Sequence, residues 1–271
     1  MSLGIAFKGP EGIVLAADSR VTLNAQRRQG KETLLLPSTF DNATKLLHTS
    51  KQRFIGSVTF GLGALGQREF RTAHSFLPEF ERALPEERIT VQDFARQLSD
   101  FFITQWREQG MPAAADYQGE QLYFLIGGYD PDGIYGRLFE VAIPHNPAPN
   151  ELQHGVFGLN WGGQKEFTTR LLNGFDDGVT HAIQQKNGLT DEQRSELEAF
   201  LRQNFSTQIP YQFLPLQDCV DLATFLIRTT IELQQWVVGI RGVGGAIDVA
   251  TVTRTKGLIH VQQKKLVAEH L

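Results

Sequence analysis

The N-terminal segment of the chain contains GIAFK at residues 4–8, GPEG at residues 9–12 and IVLAAD at Ile13–Asp18. Short, mostly apolar runs on either side of a turn with Pro and Gly are typical of two β-strands joined as a hairpin. The first of these strands begins only a few residues after Met1. We therefore expect Ser2 to lie at the end of a strand that is built into the fold.

The rest of the sequence predicts a regular succession of strands and helices. Apolar runs predict strands that begin near Lys45 and cover residues 54–60, 122–129, 134–143, 155–159, 246–253 and 258–262. Apolar residues three and four positions apart predict helices over residues 65–85 and 90–110, around 167–172, and over 190–205 and 217–236. The polar residues 24–44 suit a long surface loop or an extra hairpin, and residues 144–150 suit a loop.

The order of these elements predicts the fold class. Strands that follow one another through hairpins form largely antiparallel sheets, and helices with an apolar stripe must cover a sheet face. We therefore expect an α+β protein with a four-layer αββα sandwich and mainly antiparallel sheets. No internal repeat, low-complexity tract or linker divides the sequence, so we expect a single domain over residues 1–271.

Charge and composition exclude several classes of partner. The chain has 26 Lys and Arg against 30 Asp and Glu, a formal net charge of -4 and a pI of about 6.0. A nucleic-acid or anionic-membrane partner would require a basic face, so neither is expected. The apolar runs are far shorter than the roughly 20 residues of a spanning helix, and no targeting segment is recognisable. We expect a cytoplasmic protein.

The cysteine and histidine content argues against a metal or cofactor site. Cys219 is the single cysteine, so neither an internal disulfide nor a zinc site with paired thiolates can form. The seven histidines show no metal-ligand spacing. We predict no metal and no cofactor, and we expect Cys219 to pack in the core beside its apolar neighbours.

The chemistry suggested by the N-terminus depends on Ser2. Removal of an initiator methionine requires a small second residue, so Ser2 can become the mature N-terminus. An α-amino group has a pKa of about 8, and a modest lowering leaves it neutral enough to take the proton of its own hydroxyl. Such a residue is a nucleophile that needs no histidine.

From Ser2 to Thr22 the sequence resembles, without a gap, the opening segment of the beta-type proteasome subunits, which are N-terminal-nucleophile hydrolases. In this resemblance Ser2 occupies the position of the family's catalytic threonine, and Asp18 that of its buried aspartate. The segment ATKLL at residues 43–47 is similar to the one with the family's catalytic lysine, which places Lys45 in that role.

Two later segments extend the resemblance over most of the chain. In TFGLG, residues 59–63, Gly61 matches the glycine whose backbone N–H serves the oxyanion hole. The segment VGGAIDVA at residues 243–250 resembles the family's Gly-Gly signature. The resemblance implies that Ser2 attacks a peptide carbonyl while Lys45, held by Asp18, lowers the pKa of the hydroxyl and of the amine.

The resemblance also implies a substrate and partners. Four residues match those that shape the pocket for the residue before the cleaved bond, and they suggest an apolar preference: Val21, Ala43, Leu47 and Val58. The implied substrate is a peptide or an unfolded protein. Family members assemble into stacked rings, so a ring-shaped homo-oligomer and a regulatory ATPase are implied as well.

The sequence departs from the family at three supporting positions. Ile240 and Val243 stand where active members usually have an aspartate and a serine, and Gly162 stands in place of a serine. Serine instead of threonine at the nucleophile removes the methyl group that restricts its rotamer. We therefore expect slow peptidase activity. The alternatives are a catalytically inactive beta-type subunit that acts in assembly, and an N-terminal-nucleophile amidase for a small molecule.

Overall fold

The computed structural model describes residues 2–29, 32–66, 69–239 and 241–268, with the backbone alone between residues 24 and 37. The strands in this part of the chain are β1 (Leu3–Lys8), β2 (Ile13–Asp18), β3 (Val21–Gln29), β4 (Glu32–Phe40), β5 (Leu46–His48), β6 (Ile55–Gly61), β7 (Leu122–Gly128), β8 (Arg137–Ile143), β9 (Asn146–Leu152), β10 (Gly158–Gly163), β11 (Ile247–Thr253) and β12 (Gly257–Gln262). The helices are α1 (Leu77–Ala83), α2 (Val91–Glu108), α3 (Glu166–Asn173), α4 (Asp177–Asn187), α5 (Asp191–Phe205) and α6 (Leu216–Gln234).

The strands form two five-stranded antiparallel sheets and a separate two-stranded hairpin. The first sheet has the order β10-β1-β2-β11-β12, the second has the order β5-β6-β7-β8-β9, and β3 pairs with β4. Helices and antiparallel sheets thus share one chain, as the sequence predicted, and the α+β class is confirmed. Among the described residues, no helix has the length and apolar content that crossing a membrane would require.

The predicted N-terminal hairpin lies at the centre of the first sheet. β1 pairs with β2 on one side and with β10 on the other, and every residue of β1 and β2 is buried. The turn between them closes through a hydrogen bond from the Gly9 N–H to the Gly12 carbonyl at 2.9 Å. Because both edges of β1 are paired, the backbone that leads to Ser2 has a defined position.

The second sheet has two buried faces, as alternation along β7 shows. Phe124 and Ile126 pack with α1 and α2, where Phe102 of α2 lies 4.7 Å from Phe124 between ring centroids. Leu125 points the other way and packs against Leu15 and Ala250 of the first sheet. Side chains at neighbouring strand positions point to opposite faces, so a continuous apolar run is what a strand buried on both faces requires.

Helix α6 covers part of the first sheet, with contacts to β1, β2 and β11. Cys219 on this helix is fully buried, and its thiol lies where a Cβ atom on Gly9 would approach within 2.9 Å. Burial raises the pKa of the Cys219 thiol to about 11. The prediction that Cys219 packs in the core is confirmed.

The chain contains two compact units, and the single domain expected over residues 1–271 stays a prediction. The larger consists of Met1–Gly163 with Tyr211–Leu271, and the smaller of Gln164–Pro210. The smaller unit is a group of helices, α3 to α5, of which α4 was not predicted. Helix α5 buries none of its residues, and its N-terminus is held by a capping box between Thr190 and Gln193. The composition at its ends is not that of a linker, so the sequence did not predict a separate unit here.

Two predicted loops are strands in the structure. Most of the polar stretch of residues 24–44 forms the β3–β4 hairpin, the second of the two possibilities considered. Residues 144–150 were expected to be a loop, but β9 begins at Asn146 and pairs with β8. β9 is an edge strand with mostly exposed or half-buried residues and carries Pro147 and Pro149, so its sequence lacks the apolar alternation of a core strand.

Candidate active site

A small cavity opens beside the end of β1, and the predicted catalytic residues Ser2, Lys45 and Gly61 all lie in its wall. The described residues that line it are Ser2, Val21, Ala43, Thr44, Lys45, Thr59, Phe60, Gly61, Leu62, Gly63, Thr72 and Ala73. The cavity has a volume of about 20 Å³. A single water molecule needs roughly 10–15 Å³ of such a volume. The cavity therefore holds a group of one or two non-hydrogen atoms.

Ser2 precedes β1 and is buried, with 4% of its surface exposed. β1 is hydrogen-bonded on both sides, so the backbone at Ser2 cannot shift without disrupting the first sheet. Its carbonyl group lies against Gly163, where a Cβ atom would come within 1.8 Å of the Ser2 oxygen. Gly163 has φ +95°, a conformation that favours glycine, so this close approach depends on the absence of a side chain.

Asp18 stands at the end of β2, is 1% exposed, and accepts hydrogen bonds from four groups within the described part of the chain. Its Oδ1 accepts from the Lys45 Nζ at 2.7 Å and from the Leu3 N–H at 3.0 Å. Its Oδ2 accepts from the backbone N–H groups of Gly244 at 2.9 Å and Arg20 at 3.1 Å. The carboxylate therefore joins the start of β1, the lysine and the Gly-Gly segment in one network.

Lys45 precedes β5 and is 5% exposed, with its ammonium group paired to Asp18. Burial lowers the pKa of Lys45, and the nearby charges of Lys264 and Arg20 lower it further, while Asp18 acts in the opposite direction. Desolvation disfavours the ammonium form, so this lysine gives up a proton more readily than a lysine in water. A group of this kind beside a hydroxyl can polarise it and exchange protons with it.

Gly61 ends β6 and has φ +84°. A Cβ atom there would lie 2.1 Å from the Gln121 carbonyl oxygen, so only glycine fits this backbone. Gln121 also accepts a hydrogen bond from the Leu62 N–H at 2.8 Å, which holds the chain just after β6 in place. The wall of the cavity at Gly61 is therefore backbone, which is the type of surface that an oxyanion hole needs.

A second layer of contacts holds the Gly-Gly segment against the end of β2. The Arg20 guanidinium donates two hydrogen bonds to Asp41, from Nε at 2.6 Å and from Nη2 at 2.7 Å, which raises the pKa of Arg20 and lowers that of Asp41. A Cβ atom on Gly244 would meet the Arg20 guanidinium at 2.4 Å. The Ser19 hydroxyl lies 2.7 Å from the Ala246 carbonyl, to which it can donate.

The three departures from the resembled pattern have different structural outcomes. Val243 is 1% exposed, and its N–H donates to the Gln234 Oε1 at 3.0 Å. Gly162 faces the ring of Phe60, and a Cβ atom there would lie 2.2 Å from that ring. Ile240 lies outside the described residues.

The four predicted pocket residues separate into two pairs. Val21 and Ala43 line the cavity, as does Thr59, which the sequence reasoning missed. Leu47 and Val58 do not belong to the described lining residues. Leu47 packs with the helices on the second sheet, and Val58 is fully buried between the two sheets.

The alternation of β6 explains this separation. Val58 and Phe60 share the face toward the first sheet, where they pack in one cluster, whereas Thr59 is displaced by one position and points to the opposite face. Thr59 and Phe60, near the end of the strand, both line the cavity. Period-two alternation from the apolar Val58 and Phe60 was the signal that could have identified Thr59. Leu62, Gly63, Thr72 and Ala73 line the cavity from loops and had no comparable signal.

Neither a known protein-family model nor a curated protein matches this chain. Within the described residues, no group of three or more His, Cys, Asp or Glu side chains is arranged to hold a metal ion. The chemical interpretation of the cavity therefore depends on its own residues.

Proposed function

We propose that this protein is a peptidase of the N-terminal-nucleophile type, in which Ser2 is the nucleophile once Met1 has been removed. The observation that carries the proposal is the convergence of Ser2, Lys45 and Gly61 on one cavity, with Asp18 bonded to the lysine at 2.7 Å. We further propose that the two sheets and their covering helices form the four-layer αββα sandwich of proteasome-like hydrolases, and that the protein acts in the cytoplasm.

The proposed reaction begins with attack of the Ser2 hydroxyl on a peptide carbonyl. The α-amine of Ser2 takes the hydroxyl proton and passes it to the leaving amine, so a carbon–oxygen bond forms and the carbon–nitrogen bond breaks. The ammonium of Lys45 stabilises the developing alkoxide, and Asp18 keeps that ammonium oriented. Water then hydrolyses the acyl ester, with the same amine as base.

The Gly61 N–H is proposed to bind the oxyanion of the tetrahedral intermediate. A hydrogen-bond donor in an oxyanion hole typically lowers the activation barrier by about 3 kcal/mol. Glycine at position 61 supports this role, because it leaves the cavity wall there as backbone without a side chain, and its positive φ favours glycine.

The first experiment is an intact-mass measurement followed by labelling with a peptidyl epoxyketone, which captures a hydroxyl and its own α-amine together. We expect a chain that begins at Ser2 and one label per chain on that residue. Ser2→Ala should remove the label. A chain that keeps Met1, or a label elsewhere, would contradict the proposal.

A matched pair of lysine variants tests the role of Lys45. Lys8 is also buried, at 6% exposed, and donates to the Gln153 carbonyl at 2.8 Å, but it lies in β1 and is not a described lining residue of the cavity. We expect Lys45→Met to slow labelling at least about 100-fold, within the range of general acid–base effects, and Lys8→Met to retain it. Circular dichroism on both variants separates loss of chemistry from loss of fold.

The second candidate is a catalytically silent subunit that acts in assembly. Gly162 and Val243 favour it, because neither supplies the polar side chain that the resembled active members place near the nucleophile. In that case we expect a retained Met1, no labelling, and a homo-oligomeric ring by native mass spectrometry. A ring that labels at Ser2 would instead support the peptidase, for which a regulatory ATPase remains a further proposed partner.

A further inference from the structure

A threonine in the wall of the cavity beside Ser2 carries a hydroxyl group without a partner among the described residues. Thr59 is 7% exposed and lines the cavity, and its Oγ1 is buried with no hydrogen-bond partner among the described residues. Burying a hydroxyl without a hydrogen bond is unfavourable, and most buried hydroxyls in proteins have a partner. A ligand group that enters the cavity can supply that hydrogen bond.

The backbone fixes Thr59 next to the reacting residues. Its N–H donates to the Lys45 carbonyl at 2.9 Å, so the two residues are adjacent across the start of the second sheet. The threonine χ1 angle has more than one accessible rotamer, and a rotation of about 120° places Oγ1 where the methyl group was. A ligand group in the cavity can thus be met by the hydroxyl without any movement of the backbone.

The size of the cavity limits what this ligand group can be. Its volume of about 20 Å³ accepts one or two non-hydrogen atoms, and small residues such as Ala43 and Gly63 form its walls. Gly63 cannot be enlarged, since a Cβ atom there would lie 2.5 Å from Val21. A methyl or hydroxymethyl group fits this space, whereas a leucine or phenylalanine side chain does not.

We propose that the cavity selects substrates whose residue before the cleaved bond is small, with serine preferred over alanine through a hydrogen bond to the Thr59 hydroxyl. This inference rests on the proposed function, because it assumes that Ser2 is acylated. It differs from the apolar preference expected from the sequence, and two of the residues behind that expectation, Leu47 and Val58, pack in the two hydrophobic cores.

The experiment compares the second-order rate constants with which Ser2 is labelled by peptidyl epoxyketones that differ only in the residue next to the electrophile. We expect serine and alanine probes to react at least about tenfold faster than leucine and phenylalanine probes. Equal or faster reaction of the two large probes would overturn the size selection.

Variants of Thr59 test the hydrogen bond. Thr59→Val keeps the shape and removes the hydroxyl, so the serine-to-alanine rate ratio should fall about tenfold, the equivalent of one net hydrogen bond. Thr59→Ser keeps the hydroxyl and should keep serine ahead of alanine. Thr49 provides the matched control: it is 2% exposed, its Oγ1 also has no partner among the described residues, and it is not among the described lining residues.

The outcomes separate this inference from the proposed function. If Thr59→Val leaves the serine-to-alanine rate ratio unchanged, or if Thr49→Val changes it equally, the Thr59 hydroxyl does not distinguish serine from alanine. The inference is then overturned. If Ser2 is labelled but large probes react best, the inference fails and the peptidase stands. If no probe labels Ser2, both proposals are overturned together.

Discussion

The ring of Phe60 occupies the space that any side chain at position 162 would need. A Cβ atom on Gly162 would lie 2.2 Å and 2.3 Å from two atoms of this ring, and one on Gly4 would lie 2.7 Å from a third. The ring also stacks on Tyr123, with centroids 5.1 Å apart and planes 5° from parallel. Glycine at position 162, where the resembled family has serine, is thus complementary to an aromatic ring.

This relationship predicts a strong coupling between the two positions. Gly162→Ser should lower the free energy of unfolding by about 1–3 kcal/mol, because the fully packed site cannot admit the new atoms. Phe60→Leu removes the ring atoms in question, so Gly162→Ser should cost much less in that background. Urea denaturation of the two single variants and the double variant measures the coupling, and additive effects would contradict the packing account.

The network around Asp18 predicts the cost of removing its charge. Asp18→Asn leaves the buried Lys45 ammonium without its counterion, so we expect the free energy of unfolding to fall by about 3–5 kcal/mol. Asp41→Asn is the control, because the Asp41 side chain is 45% exposed and its pair with Arg20 should contribute no more than about 1 kcal/mol. Equal losses in the two variants, measured by chemical denaturation, would argue against a buried pair at Asp18.

Gly61 and Gly110 form a matched pair for the backbone of the proposed oxyanion hole. Both have positive φ, +84° and +68°, but a Cβ atom on Gly110 would meet nothing within 4 Å, whereas one on Gly61 would collide with the Gln121 carbonyl. We expect Gly110→Ala to cost about 1–2 kcal/mol from backbone conformation alone. Gly61→Ala should cost clearly more in thermal unfolding and should also abolish labelling of Ser2.

His260 on β12 predicts a dependence of stability on pH. Burial lowers the pKa of His260, nearby His48 and Lys264 lower it further, and Asp248 opposes them. Both ring nitrogens are buried without a partner among the described residues, and the ring lies 5.0 Å from that of His48 between centroids. The neutral imidazole is therefore the form that the fold accommodates.

The sign of the effect follows from the two states. A histidine in the unfolded chain has a pKa of about 6.5, whereas the pKa of His260 in the folded chain is lower. Below about pH 6.5 the unfolded chain therefore binds more protons than the folded chain, and the free energy of unfolding should fall as the pH drops. His260→Phe keeps a ring and removes the titration, so it should weaken this dependence and stabilise the protein near neutral pH. Urea denaturation at several pH values tests this, and an unchanged slope in the variant would exclude His260 as its source.

Much of the fold could be predicted because the decisive residues lie close together in the sequence. The apolar runs of β1 and β2 with their Pro/Gly turn, and the capped apolar stripe of α2 after Thr90, encode local structure through side-chain periodicity and turn chemistry. β9 and α4 were missed because edge strands and exposed helices carry little apolar periodicity.

By itself, the sequence determined the α+β class and the antiparallel order of strands, because strand patterns are local properties. Its resemblance to a known hydrolase family supplied Ser2, Asp18, Lys45 and Gly61 as site candidates. The tertiary structure brings the Lys45 ammonium to the Asp18 carboxylate across 27 positions of sequence, a pairing that only the resemblance had implied. It also decided that Thr59 rather than Val58 lines the cavity. Which face of a strand meets which neighbour depends on how the sheets and loops pack, and that packing is a property of residues far apart in the chain.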